Sequence, residues 1–292
     1  LALDFRRKIN MTEISEDILK KVIKERESDT HKGDYGRVLL IGGSENYGGA
    51  IIMSTEGAIN AGTGLTAVAT HPLNLAPLHA RVPEAMFINW RDAKLADLIK
   101  NMDVVVCGPG LGMSDLAKQI LVILRRCTSE KQTVVLDASA LDLISQDKNL
   151  LPTNAGHLIL TPHQMEWQRL SQIRIPFQTD SASIDALNQL IPDTNALLVL
   201  KSNHTHVYNG TGQIFVNPIG NPGMATGGMG DTLAGIIGGM VAQFGPGVET
   251  VQAAVYLHSL AGDLLAKDNY VVRPTELSKV LPKLMKKYSE LA

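Results

Sequence analysis

The run from Asn221 to Gly235 is the densest group of residues that could perform chemistry, because three glycines fall within four residues and Asp231 follows them. Glycines at a helix start leave consecutive backbone N–H groups free to bind an anion. Such groups can neutralise charge on a phosphoryl group in transfer, and a neighbouring carboxylate can take the proton of an attacking hydroxyl. Helix capping by Asp231 is the alternative, but it leaves the glycines unexplained. The predicted anion hole comprises Gly227, Gly228, Met229 and Gly230, with Asp231 as the catalytic base.

Other glycine-rich or polar loops each come directly after a short apolar run. Two of them, 42–50 and 108–112, are rich in glycine, which lets a backbone approach a ligand closely. The spacing of the first matches neither a dinucleotide fingerprint nor a Walker A motif. A plain tight turn is the alternative for each, and the second favours ligand contact more strongly.

Two further loops carry ionisable side chains. Pro162 can open a helix, which would place His163 and Glu166 on one face with His163 neutral at the positive end of the helix dipole; ordinary helix capping is an equal alternative. Lys201 ends a buried run and is a candidate phosphate contact, with an exposed hairpin as the alternative.

Metal binding has little support from the histidines, because the eight of them are dispersed without paired ligand spacing. Magnesium that arrives with nucleotide phosphates needs only one or two carboxylates, often through water. Glu166 is the first candidate for that contact, and Asp137, after an apolar run, is the second.

The elements that must position these loops alternate between short β-branched runs and segments of helical length. This alternation predicts an α/β fold, a layered αβα domain with a central, mostly parallel sheet whose loops at the strand carboxyl ends bind ligands. We expect an N-terminal extension with a charged helix (Ile14 to Glu27) over residues 1–30, and one catalytic domain over 31–292. The predicted strands are Val38–Ile41, Leu65–Thr70, Val104–Cys107, Val134–Leu136, Leu158–Leu160, Leu197–Leu200 and His206–Tyr208.

Composition excludes several classes of protein. The 292 residues are 45% hydrophobic and 19% charged, which is typical of a globular chain, and the net charge of −2 gives no sign of a nucleic-acid partner. Two cysteines rule out a disulfide scaffold and fit a cytoplasmic location. No apolar run is long enough for a membrane span, so no membrane partner is expected.

Six motifs in order make the chain resemble the ADP/ATP-dependent NAD(P)H-hydrate dehydratases of the ribokinase-like superfamily. They cover roughly residues 31–265. The motifs are Lys32–Gly36, Tyr47–Ala50, Gly108–Gly112, Thr161–His163 with Glu166, Lys201–Thr205 and Asn221–Gly235.

The resemblance implies a ribokinase-like fold and an enzyme that phosphorylates the ring hydroxyl of the S epimer of hydrated NADH or NADPH and then eliminates phosphate. It implies ADP, or ATP, as phosphoryl donor and Mg²⁺ as cofactor. Asp231 would be the base and would contact the substrate together with Ala50, Gly110 and His163. Glu166 would organise magnesium through water. The adenine nucleotide would be bound by Lys201, Ser202, Asn203, His204, Thr205 and Gly230.

The resemblance also implies a homotetramer. The chain departs from the family at Ser139, where an Asp is common, at Met229, often Thr, and at Ser202, often Gly. About 36 residues precede the first predicted strand, too few for an epimerase domain, so we expect the NAD(P)H-hydrate epimerase to be a separate protein. Two other functions stay open: a vitamin-precursor kinase of the same superfamily that acts on a small alcohol, and a non-catalytic nucleotide-binding protein.

Overall fold

The computed structural model describes residues 10–192 and 195–292 as strands alternating with helices. The strands are β1 (Asn10–Glu13), β2 (Arg37–Ile41), β3 (Leu65–Thr70), β4 (Met86–Asn89), β5 (Val104–Cys107), β6 (Thr133–Leu136), β7 (His157–Leu160), β8 (Asn195–Leu200), β9 (His206–Asn209) and β10 (Gln213–Val216). The helices are α1 (Asp17–Val22), α2 (Gly48–Asn60), α3 (Leu75–Arg81), α4 (Leu95–Lys100), α5 (Asp115–Cys127), α6 (Ser139–Gln146), α7 (Gln164–Ser171), α8 (Asp180–Leu190), α9 (Met229–Phe244), α10 (Val248–Ala266) and α11 (Pro274–Ser289).

The strands form one sheet in the order β1-β10-β9-β8-β7-β6-β5-β2-β3-β4. Only the pairings of β9 with β8 and with β10 are antiparallel. The central strands β5 and β6 are buried along their whole length, as expected of valine-rich runs covered on both faces. The predicted α/β class with a mostly parallel sheet is therefore confirmed, and the sheet gains three strands that the apolar runs did not reveal: β1, β4 and β10.

The side chains of alternate strand residues pack into two separate cores, one on each face of the sheet, which makes the molecule a three-layer αβα sandwich. Val38, Leu40 and Val106 face a core shared with α1, α2, α9, α10 and α11. Leu39, Ile41 and Val105 face the opposite core, which α4, α5, α6, α7 and α8 complete. This division follows from the two-residue period of a strand.

Helices α2 and α9 pack backbone to backbone, because small residues of α9 lie at the contact. A methyl group built at Gly235 would lie 1.9 Å from the carbonyl oxygen of Ser54, and one at Gly239 would lie 2.6 Å from that of Ala58. Both helices begin at the edge of the sheet where the parallel strands end. The contact therefore fixes the start of one helix against the start of the other.

The helix predicted from Ile14 to Glu27 is wrong in extent. Residues 10–13 form β1, which pairs with β10, and α1 spans only Asp17–Val22 before Ile23 turns to extended backbone. The next residues bond to the ends of other helices: the guanidinium of Arg26 lies over the ring of Tyr35 and donates to Gln243. These tertiary contacts outweigh the local helix preference.

Among residues 10–192 and 195–292, no helix is long and apolar enough to cross a membrane. The thiol of Cys107 lies in the core, where burial raises its pKa to about 12.

Candidate functional site

Three predicted site residues converge where β6, β7 and β8 end. Lys201 follows β8, and its Nζ lies 2.7 Å from Oδ1 of Asp137, which follows β6 and is almost fully buried. Between them, the N–H of Lys201 donates to the carbonyl of Pro162, so His163 lies beside Lys201. The adjacency of parallel strands thus brings together residues that are far apart in the chain.

Lys201 is held as a cation by its neighbours. Burial lowers the pKa of this amine, but the carboxylates of Asp137 and Glu166 outweigh burial, so its pKa lies above the usual value. A methyl group at Gly230 would lie 3.0 Å from Lys201 Nζ, which places the ammonium group directly against the start of α9. Lys201 therefore presents a fixed positive charge to the predicted anion hole.

The carboxylate of Asp231 is available to accept a proton. Within the described chain its side chain makes no hydrogen bond or ion pair, so it does not cap α9. Burial, followed by the charge of Asp137, raises its pKa to about 6, and the charge of Lys201 opposes that rise. A carboxylate with such a pKa is ionised at neutral pH and is basic enough to accept a proton.

The residues of the predicted anion hole lie at the start of α9. In the described chain, the backbone N–H groups of Met229, Gly230 and Asp231 have no acceptor, since the first intrahelical bond runs from the N–H of Thr232 to Gly228. Gly228 has a φ of 93°, which requires glycine. A methyl group at Gly227, in contrast, would meet nothing within 4 Å. Internal packing therefore explains two of the three glycines and leaves Gly227 facing open space.

His163 and Glu166 form a reciprocal cap at the start of α7. The N–H of His163 donates to Glu166 Oε2 at 2.8 Å, and His163 Nδ1 accepts from the N–H groups of Met165 and Glu166. The proton of the imidazole is therefore on Nε2. Burial first, and the charge of Lys201 second, lower the pKa of His163, in the predicted direction. The capping alternative is thus observed, and Nε2 of the same imidazole lies 3.4 Å from Oε1 of Glu166.

Burial also raises the pKa of Glu166 to about 7, because the carboxylate has lost most of its water. No group of three or more His, Cys, Asp or Glu side chains among the residues described could hold a metal ion.

Ala50 and Gly110 lie together on the β2 side of the sheet. A methyl group at Gly110 would be 3.0 Å from Ala50 Cβ and 2.4 Å from the carbonyl oxygen of Tyr47. Three residues further along α2, Met53 lies against Gly228. The predicted substrate loops are therefore neighbours of the anion hole.

Ser139 occupies the position where the family resemblance led us to expect Asp. Its Oγ accepts from the N–H of Gly112 at 3.1 Å, so it anchors the 108–112 loop. Ala138, which separates it from Asp137, has a φ of 47°, a strained value for a residue with a side chain. The strain is tolerated because both neighbours are held by partners.

A cavity of about 400 Å³ extends from the anion hole along β8 and α10. It is lined by the predicted Lys201, Ser202, Asn203, Thr205 and Gly230. His204 does not line it; its Nδ1 lies 3.4 Å from the carbonyl oxygen of Asn217.

Two of the lining residues that sequence reasoning missed carry buried polar atoms without a partner. These atoms are Nε2 of His258 and Oδ1 of Asn217, and neither has a hydrogen-bond partner among the residues described. Burial lowers the pKa of His258 to about 4, so its imidazole is neutral. No local pattern marks either residue, because each follows or lies within an ordinary apolar element.

The sequence profile of a family described as NAD(P)H-hydrate dehydratase matches residues 38–283 of the chain. The chain is 49% identical, over 96% of its length and 94% of the relative's, to an ADP-dependent (S)-NAD(P)H-hydrate dehydratase from Enterococcus faecalis. Its fold matches the crystal structure of a ribokinase-like superfamily protein from E. faecalis with a TM-score of 0.91 at 48% identity, covering 99% of each chain. It also matches a Bacillus subtilis ADP/ATP-dependent NAD(P)H-hydrate dehydratase co-crystallized with ATP/Mg²⁺, with a TM-score of 0.84 at 29% identity, covering 96% of this chain and 99% of that one.

Proposed function

We propose that this chain, which belongs to the NAD(P)H-hydrate dehydratase family, uses ADP to dehydrate the S epimer of hydrated NADH or NADPH and so restores the reduced cofactor. It is a lyase by this activity. The observation that carries the mechanism is the unpartnered carboxylate of Asp231, placed beside free N–H groups and the ammonium of Lys201.

The reaction begins when the ring hydroxyl of the hydrate gives its proton to the carboxylate of Asp231. The hydroxyl oxygen then bonds to the terminal phosphorus of ADP, the bond between that phosphorus and the bridging oxygen breaks, and AMP leaves. Hydroxide is a poor leaving group and phosphate a good one. The C–O bond therefore breaks next, and the departing phosphate takes the proton that the neighbouring ring carbon loses. This leaves the restored dihydronicotinamide.

Negative charge develops on the oxygens of the phosphoryl group during transfer, and two features of the site stabilise it. The N–H groups of the first turn of α9 point to the anion hole, and Lys201 supplies a full positive charge that Asp137 holds in place. These groups are fixed before the reaction, so they need no reorganisation when the charge develops.

Magnesium bound to the nucleotide would supply further neutralisation of the phosphate charge. Glu166 fits a contact with it through water, since this carboxyl is buried beside Lys201 and keeps an oxygen, Oε1, that accepts no backbone N–H.

The binding residues follow from the same placement. Ala50, Gly110 and the Nε2–H of His163 contact the hydrated nicotinamide, and Asp231 reaches its hydroxyl. Lys201, Ser202, Asn203, Thr205 and Gly230 line the cavity for the adenine nucleotide, and His204 supports it from behind. The open space at Gly227 accommodates the phosphates.

We further propose that the enzyme works as a homotetramer in the cytoplasm and receives its substrate from a separate NAD(P)H-hydrate epimerase, which converts the R epimer. The family resemblance supports all three statements. Molar mass in solution, from light scattering, tests the first of them.

Absorbance at 340 nm tests the reaction, because only the restored cofactor absorbs there. We expect a rise when the protein meets hydrated NADPH, magnesium and ADP, and a fall in kcat of about 10²–10⁴-fold in Asp231→Asn, the range of a lost general base. The substitution keeps the shape of the side chain, so ADP binding should persist.

Other outcomes discriminate between the alternatives. A rise in absorbance at 340 nm with ATP but not with ADP would change only the identity of the phosphoryl donor. No rise from a folded protein that binds nucleotide would favour the small-alcohol kinase, which leaves a stable phosphorylated product instead of free phosphate. If Asp231→Asn were as active as the parent protein, Asp231 would not be the catalytic base.

A further inference from the structure

A second cavity, of about 490 Å³, opens at the same edge of the sheet but on the other side of the substrate loops. It lies where β2, β3 and β4 end and α5 begins. Its wall includes Ser44, Glu45, His71, Trp90, Arg91 and Asp115. None of these residues belongs to the site described above.

Two side chains that line this cavity, Arg91 and His71, can donate hydrogen bonds to a ligand. Arg91 is exposed, and its guanidinium has no partner among the residues described. The indole N–H of Trp90 also lacks a partner there, but protein atoms enclose it. His71 Nδ1 accepts from the N–H of Leu73, so its proton is on Nε2. Side chains that can only donate, one of them a permanent cation, suit phosphate oxygens.

Carboxylates form part of the opposite wall. Glu45 and Asp115 line the cavity, and both can accept hydrogen bonds from hydroxyl groups. They would also repel a bare anion. The combination of donors and carboxylates therefore fits a phosphorylated sugar, with hydroxyls as well as phosphate, better than it fits free phosphate.

The position of the cavity links it to the substrate. The N–H of Ser44 donates to the carbonyl of Gly110 at 2.6 Å, and the N–H of His71 donates to Gly43. From the end of β5 the strand order continues through β2 and β3 to β4, a distance of about 14 Å at the usual strand spacing. The nucleotide cavity lies in the opposite direction, beyond β8.

We infer that this second cavity binds the far half of the hydrated dinucleotide, with Arg91 on a phosphate of that half and His71 beside it. The inference rests on the proposed function for the position of the nicotinamide ring. A dinucleotide whose ring lies at Gly110 and Asp231 can reach this cavity without entering the space that ADP occupies.

Binding of the reduced cofactors tests the inference without any turnover. The fluorescence of the reduced nicotinamide gives Kd for NADPH, NADH and reduced nicotinamide mononucleotide, each with ADP saturating the other cavity. We expect Arg91→Gln to weaken NADPH binding about tenfold, the effect of losing one charge-assisted hydrogen bond. The mononucleotide lacks the far half, so its Kd should not change.

Arg126→Gln is the matched control, because Arg126 is equally exposed and lies at the other end of α5. Equal weakening of NADH and NADPH would assign Arg91 to the pyrophosphate, and weakening of NADPH alone would assign it to the 2′-phosphate. Either result supports the inference. An unchanged Kd for NADPH, or an equal loss for the mononucleotide, would overturn it. The 340 nm assay judges the proposed reaction separately.

Discussion

Charged side chains are grouped at two opposite ends of the molecule, with very different consequences. At the carboxyl edge of the sheet, Asp137, Glu166, Lys201 and Asp231 are largely withdrawn from water, and their pKa values or partners reflect it. Near the C-terminus of α11, Lys286 pairs with Glu25 at 3.2 Å and Glu290 at 3.0 Å, yet more than half of each side chain is exposed.

The difference shows that proximity alone does not make a charged group reactive. Water screens the ion pairs of α11, so breaking or exchanging them changes the free energy of unfolding very little. At the sheet edge, each charge depends on its protein neighbours because water cannot replace them. Substitutions at the two ends should therefore differ in size and in their dependence on pH.

The largest difference in stability is expected for Asp137→Asn, which leaves Lys201 without its nearest carboxylate. We expect a loss of about 3 kcal/mol in the free energy of unfolding, the low end for a broken buried pair, since Glu166 and Asp231 still offset the charge. Urea denaturation measures it. A loss no larger than that from a substitution at Lys286 would refute the contrast between the two ends.

Glu166→Gln should have a smaller effect of opposite sign. The pKa of Glu166 is raised in the folded protein, so the folded state binds this proton more tightly than the unfolded state does. The contribution of this protonation to the free energy of unfolding is fully present below the unfolded pKa and is lost as the pH rises through about 7. Gln cannot ionise, so the variant does not lose this stability at high pH. The oxygen of its side-chain amide can still accept a hydrogen bond from the N–H of His163. We expect a gain of about 1–2 kcal/mol at pH 8.

At pH 4 the two proteins should unfold at the same urea concentration, because Glu166 is then protonated in both states. The gain must therefore grow with pH. A gain that is independent of pH would mean that burial is not the cause of the raised pKa.

Lys286→Ala should have the smallest effect. Both partners of this lysine are solvated, and more than half of its own side chain is exposed. The melting temperature measured by calorimetry should stay the same, and added salt should change it equally in the variant and the parent. A clear fall would show that exposed pairs also stabilise this fold.

The sequence predicted the central strands and their ligand-binding edge well, because buried parallel strands are continuous apolar runs. It missed β4 and β10, whose residues are partly exposed and therefore less apolar. It also predicted too long a first helix, since the contacts of Arg26 with Tyr35 and Gln243 are not visible in a local pattern.

The same limit applies to the site. Sequence reasoning placed Lys201 and Asp137 as separate candidates, but it could not pair them, because their contact depends on the order of β6, β7 and β8 in the sheet. It found no reason to consider Arg91, a single charge after a strand that it had not recognised. The glycines of the anion hole were easier to interpret, since their positions are local.

The contact between α2 and α9 has a consequence for how this scaffold can change its chemistry. Gly235 and Gly57 bring main chain against main chain, so no side chain acts as a spacer between the two helices. The start of α9 and the loop before α2, where we propose that the phosphoryl donor and the acceptor bind, therefore keep a constant separation while the loop residues vary. A designer could replace the loops to admit another alcohol and keep the phosphoryl donor in register with it.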